Sequence, residues 1–198
     1  MTRHRNVRRA LLAACASALF AAALHATAPD GAKSESAQAP QPVRPSAEHN
    51  GMTRLEGSWD ASVEVSMGAP GTPPQVSKGT ETDRLCCGGL WLVTEFRNSP
   101  GSRAYEGHGL TGFDPSKKKY VSTWVDSDLT APMISEGAYD ATGETLTMRG
   151  SMTSRGKTMQ WRSVQAWKDD DTRQVTMYMR GPDGKEAPGL KIAYTRSK

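Results

Sequence analysis

The sequence predicts an all-β protein: a single antiparallel, up-and-down barrel of about ten strands preceded by a short helix. Three observations carry this. Runs of about six to ten residues rich in Val, Thr, Trp, Tyr and Met recur from residue 58 to the C-terminus, which is strand composition at strand length. The runs are separated by short turn sequences, and connections this short join antiparallel neighbours, since a parallel crossover needs a dozen or more residues. Several runs alternate apolar and polar side chains, so that one face is buried and the other wet.

Before the strands lie two segments of different character. Residues 1–28 read as a secretory signal: four Arg within the first nine positions, the apolar run from Ala10 to Leu24, then small residues around Ala26 and Ala28. At 15 residues, that run is shorter than the roughly 20 needed to span a bilayer. No later stretch approaches that length, so no transmembrane segment is expected and the mature chain is placed in the periplasm or outside the cell. Leu12-Ala13-Ala14-Cys15 has the form of a lipobox, which makes a lipid anchor at Cys15 an alternative, but only five residues separate Cys15 from Arg9. Arg8-Arg9 likewise leaves a twin-arginine route open. Residues 29–50 are rich in Ala, Pro, Ser and Gln, bury too little to offset their ordering entropy, and are expected to form a disordered tether.

A short helix is expected around Glu48 to Leu55. Strands follow near 58–67, 77–85, 90–98, 104–113, 119–126, 132–139, 144–150, 158–168, 173–180 and 186–196. Asp114-Pro115-Ser116, Asp140-Ala141-Thr142-Gly143, Asp169-Asp170-Asp171 and Gly181-Pro182-Asp183-Gly184 punctuate them. Alternation is clearest in Leu146/Met148, in Val175/Met177/Met179 and in Leu190/Ile192/Tyr194. Ten sequential strands with one apolar face leave two open edges unless the sheet closes, and a barrel closes it. A two-sheet sandwich is the alternative that strand count and spacing do not separate.

Charge narrows the function. Of 25 Lys and Arg and 21 Asp and Glu, residues 1–50 hold six basic and three acidic, leaving 19 against 18 in the body. The net +4 therefore belongs mostly to the leading segment, and a nucleic-acid partner, which needs a basic stripe, is not expected.

Specific residues carry a family resemblance. Leu55-Glu56-Gly57-Ser58-Trp59 looks like the Gly-x-Trp opening of lipocalin-like barrels. GGLWLVTEF (88–96), YEGHGLTGFDPSKKKYVSTWVDS (105–127), SEGAYD (135–140) and GPDGKE (181–186) together resemble the bacterial domain-of-unknown-function family 1579, over essentially all of 52–198. The resemblance implies a calycin-type barrel and brings no established activity, cofactor or catalytic residue. Cys86-Cys87 and His108 depart from its usual pattern.

The candidate chemistry is sparse. His108 is the one histidine expected in the body, since His49 falls in the tether. With Cys86 and Cys87 it supplies three ligands at a spacing unfamiliar for zinc, so no metal is expected. No late-strand histidine is placed to ligate haem, and no cofactor is expected. Cys86 and Cys87 can close a vicinal disulfide in an oxidising compartment, with Gly88-Gly89 supplying backbone freedom; the alternative is two free thiols, one facing in and one out. Glu95, Glu106, Asp126, Asp128 and Glu136 lie on or beside strands. Asp126 and Asp128 are read as loop caps, and Glu136 as a partner for an arginine such as Arg162. Trp59 and Trp91 are assigned to the closed end.

The five Trp and nine Met suit an adaptable apolar pocket. The expected function is binding of a small apolar or amphipathic molecule inside the barrel, with Trp124 lining the cavity and Asp126, Glu136 and Glu95 towards its mouth. A hydrolase or isomerase using those three carboxylates is one alternative class, and a structural envelope protein is another.

Overall fold

The computed structural model describes residues 42–66, 71–154, 156–181 and 183–198. The expected signal, Cys15 and most of the expected tether lie outside them. Ten strands run in order: β1 (Gly57–Val65), β2 (Gln75–Cys86), β3 (Trp91–Asn98), β4 (Tyr105–Asp114), β5 (Lys119–Asp126), β6 (Met133–Tyr139), β7 (Thr145–Ser154), β8 (Lys157–Trp167), β9 (Thr172–Arg180) and β10 (Glu186–Arg196). Each pairs antiparallel with its neighbours in sequence, and β10 pairs with β1, closing the barrel. Closure leaves no unpaired strand edge, which selects the barrel over the sandwich.

Register fixes the faces. Trp59, Ala61 and Val63 on β1 stand beside Tyr194 and Ile192 on β10, and all are buried. Around the wall the inward rows continue through Glu81 and Asp83, Leu92 and Phe96, Tyr120, Leu146 and Met148. A register shift between Pro188 and Leu190 marks a bulge in β10, a common device where a barrel wall must bend.

A 3-10 turn, Ala47–His49, leads into the four-residue helix α1 (Asn50–Thr53), which covers one end of the barrel. Met52 and Leu55 are buried in the core, and Tyr139 donates to the Gly51 carbonyl at 3.3 Å. Trp59 Nε1 donates to the Leu55 carbonyl at 2.9 Å, tying the helix exit to the first strand. The compact unit that holds the barrel takes in residues from Pro42, and His49 is buried with its ring edge-on to Phe113. Composition alone hid this, because residues 42–50 contribute one buried side chain in a polar segment. Among the described residues no helix is long and apolar enough to cross a membrane.

Candidate functional site

The two ends of the lumen differ. At the helix-covered end the interior is filled. Trp59 is completely buried, with the guanidinium of Arg173 at 4.7 Å and that of Arg196 at 4.1 Å from its ring. Arg196 then donates to the carbonyls of Glu56, Arg54 and Asp170 at 2.9–3.2 Å, stitching the end of β10 to the helix and to the β8–β9 turn.

Inside this end lies a buried ionic cluster. Arg173, only 3% exposed, pairs with Glu81 and reaches Asp83 at 3.4 Å, and its guanidinium stacks on the Tyr194 ring at 3.9 Å. Tyr194 donates to Glu81 at 2.7 Å, Thr94 donates to Asp83, and Arg173 donates to Gln165 at 3.3 Å. Two carboxyls face one guanidinium here, away from water. Burial, reinforced by the neighbouring Glu81, raises Asp83 to about 8, so near neutral pH Asp83 stays protonated and the excess negative charge is relieved. Burial, then Glu81, also holds the Tyr194 phenol well above its ordinary value. Of these four residues only Tyr194 stands out in the sequence, on the apolar face of the last strand. Arg173 is in phase with Val175 and Met177, and Tyr194 with Ile192, so alternation carried a signal for these two. Glu81 and Asp83 lie in a strand polar on both faces, where alternation is silent.

The wall formed by β8 and β9 behaves differently. Ser163, Gln165, Val175, Met177 and Met179 point inward by register and each keeps part of its surface accessible, although Trp161, inward on the same strand as Ser163, is buried. In a barrel without edges, solvent reaches an inward side chain mainly through the lumen. Met133 on β6 and Trp124 on β5 are likewise inward and only part-buried. Trp124 lies flat against β4: a Cβ on Gly107 would fall 2.2 Å from its Cζ2, so the ring's position depends on glycine there. Trp124 Nε1 and the Tyr105 hydroxyl both donate to Asp126 Oδ2 at 3.1 Å, while Asp126 Oδ1 accepts from the backbone of Asp128 and Leu129. One carboxylate thus anchors the indole and caps the β5–β6 loop.

Trp124 and Asp126 are brought together, but Glu95 and Glu136 are not with them. Thr82, Glu95 and His108 form an outward row across β2, β3 and β4, and Glu95 pairs with Arg84. Val121 and Glu136 are likewise an outward pair. Glu136 is held by Lys119 at 2.6 Å and Lys117 at 3.1 Å, contacts that lower its pKa. The expected grouping of three carboxylates at one mouth is corrected, because Glu95 and Glu136 fall out of phase with the inward rows on their strands. Arg162 pairs with Glu186 at 2.8 Å rather than with Glu136, and Trp91, one residue from inward Leu92, faces outward opposite Gly112. Cys86 and Cys87 stand as free thiols, half-buried and exposed respectively. Among the described residues no three His, Cys, Asp or Glu side chains stand together as a metal site.

The outer wall carries a concavity of about 840 Å³ bordered by Lys117, Lys119, Glu136, Arg149, Arg180 and Glu186. Glu186 there accepts from Arg162 and lies 3.6 Å from Arg149.

Comparison with known proteins bears on the fold and the family. The structure of Rv2717c from M. tuberculosis superposes with a TM-score of 0.57 at 12% identity, covering 77% of this chain and 99% of that one. The S-type phycobiliprotein lyase CPES from Guillardia theta superposes with a TM-score of 0.50 at 11% identity, covering 78% and 99%. At these identities the likeness shows a shared calycin-like barrel. No curated protein matches the sequence. The model of the family described as "Protein of unknown function (DUF1579)" matches residues 44–196. The chain belongs to that family.

Proposed function

We propose that the protein is a binding module that holds a small apolar or amphipathic molecule in the open part of its barrel. The observation that carries this is the contrast within one closed wall: inward Val175, Met177, Met179, Met133 and Trp124 stay accessible while the helix-covered end is sealed. Apolar surface left accessible on inward-facing side chains is where an apolar ligand gains most, and flexible Met side chains adapt to its shape. Trp124 supplies the aromatic face and Asp126 a polar group beside it. The phycobiliprotein lyase puts a barrel of this kind to work on phycobiliproteins; the likeness supports ligand handling by the fold and lends no substrate. The enzyme alternative loses its proposed machinery, since Glu95 and Glu136 face away from Asp126.

The test uses N-phenyl-1-naphthylamine, an uncharged apolar dye. The reading predicts saturable binding with enhanced dye fluorescence, and a clear loss of affinity in Trp124→Ala with the circular dichroism unchanged. Unchanged affinity in that folded variant would refute Trp124 as part of the site.

The reading also includes export, supported by the Arg-rich start and the apolar run to Leu24. Mass spectrometry of protein from its native host is expected to find an N-terminus between about residues 24 and 30, whereas an acylated Cys15 terminus would overturn the soluble form.

A further inference from the structure

Averaged over the sequence, the body is nearly neutral, but its outer wall is not. Around the 840 Å³ concavity, Lys117 and Lys119 share Glu136, and Arg149 and Arg162 share Glu186, with Arg180 also on the border. Five cations therefore face two carboxylates, an excess of three positive charges on one side of the barrel. The concavity of about 590 Å³ over β1–β3 and β10 has Asp60, Lys78 and Arg97 as its charged lining residues, and Arg97 is tied to Glu106 at 3.0 Å.

Of the five exposed large apolar side chains among the described residues, Val43 and Val76 lie apart and the other three lie beside the basic groove. Leu110, Val125 and Ile134 are 43%, 47% and 58% exposed. They lie on adjacent strands: Leu110 and Ile134 flank Thr123 in one row, and Val125 follows two residues along β5. Ile134 and Val121 line the groove itself, so the patch and the cations form one surface. Large aliphatics set among lysines and arginines match the boundary between lipid headgroups and acyl chains. Excess cations match an anionic surface.

We propose that the β4–β9 face docks on a membrane leaflet bearing anionic lipids, with Ile134, Val125 and Leu110 touching the interfacial region and the groove cations meeting the headgroups. The barrel then lies on its side, and the lumen keeps its opening beside the bilayer. The inference is independent of any ligand in that lumen.

Sedimentation of the chain with vesicles tests this. The probes are vesicles of phosphatidylcholine alone and vesicles containing 30 mol% phosphatidylglycerol. The proposal predicts partitioning stronger on the anionic vesicles by roughly a hundredfold at low salt, from three excess charges each contributing about fivefold. The preference should weaken sharply in 0.5 M salt. Arg149→Ala/Arg180→Ala is expected to lose about thirtyfold on anionic vesicles, and Ile134→Asp to weaken binding while its thermal melt stays unchanged. The control pair Lys78→Ala/Lys191→Ala, on the far wall, should bind like wild type. Equal partitioning on both vesicle types, or no partitioning on either, overturns the proposal, as does full binding by the double arginine variant. Saturable binding to poly-L-glutamate that is insensitive to Ile134→Asp and stronger than binding to vesicles would replace the membrane with an acidic protein partner.

Discussion

The sealed end and the open wall of the lumen use the same residue types to opposite effect. Trp59 and Trp167 meet at 5.8 Å in the sealed end, where α1 adds Met52 and the Arg173 cluster fills the remaining volume. Trp124, Met177 and Met179 on the open side have no such cover. The difference teaches that aromatic and methionine content alone does not mark a pocket; a capping element and a satisfied polar cluster decide whether such residues become core or lining.

The comparison can be broken most severely at Arg173. Arg173→Leu removes the one cation facing Glu81 and Asp83 and is expected to cost about 3–5 kcal/mol, read as a fall in the urea midpoint at unchanged slope. A cost below about 1 kcal/mol would mean that the cluster is not sealed from water. Next in size, Met52→Ala removes the helix's contribution to the plug and should cost about 2–4 kcal/mol. Met177→Ala, on the open wall, should cost less than about 1.5 kcal/mol, since its surroundings are only part-filled, while weakening dye binding.

A smaller effect sharpens the account of Asp83. Its folded pKa of about 8 stands above the ordinary 3.8, so the folded state binds its proton more tightly than the unfolded chain. The stability this supplies is fully present below about pH 4 and is lost progressively as pH rises through about 8. Asp83→Asn, which keeps a neutral side chain there, should therefore show a flatter stability profile than wild type between pH 5 and 8. Parallel profiles would place Asp83 in contact with water.

Much of the fold was legible because strand, turn and alternation signals agreed: the expected strand near 119–126 coincides with Lys119–Asp126, and that near 186–196 with Glu186–Arg196. The inward direction of Trp124 followed the same logic, as one face of β5 had to be buried. The site was less legible. For Glu136 and Glu95, parity is fixed by the partner strand's register, and their own neighbours, such as Ile134 beside Glu136, do not reveal which face is inside. Ile134 itself is an aliphatic on the outer wall. In β2, Glu81 and Asp83 carry no apolar pattern, so their burial emerges only when Arg173, some 90 residues later in the chain, is brought against them.

The central claim, an open lumen above a sealed floor, is tested most directly by Ser163→Trp. Ser163 faces inward between Met148 and Met177 and is only part-buried. If the lumen is open, the indole occupies it: stability measured by urea denaturation stays within about 1 kcal/mol of wild type and N-phenyl-1-naphthylamine binding is lost. If that wall is packed core, the added volume forces off-rotamer packing, and the variant loses about 1–3 kcal/mol or more, with no effect on dye binding beyond that of unfolding, which would contradict the account.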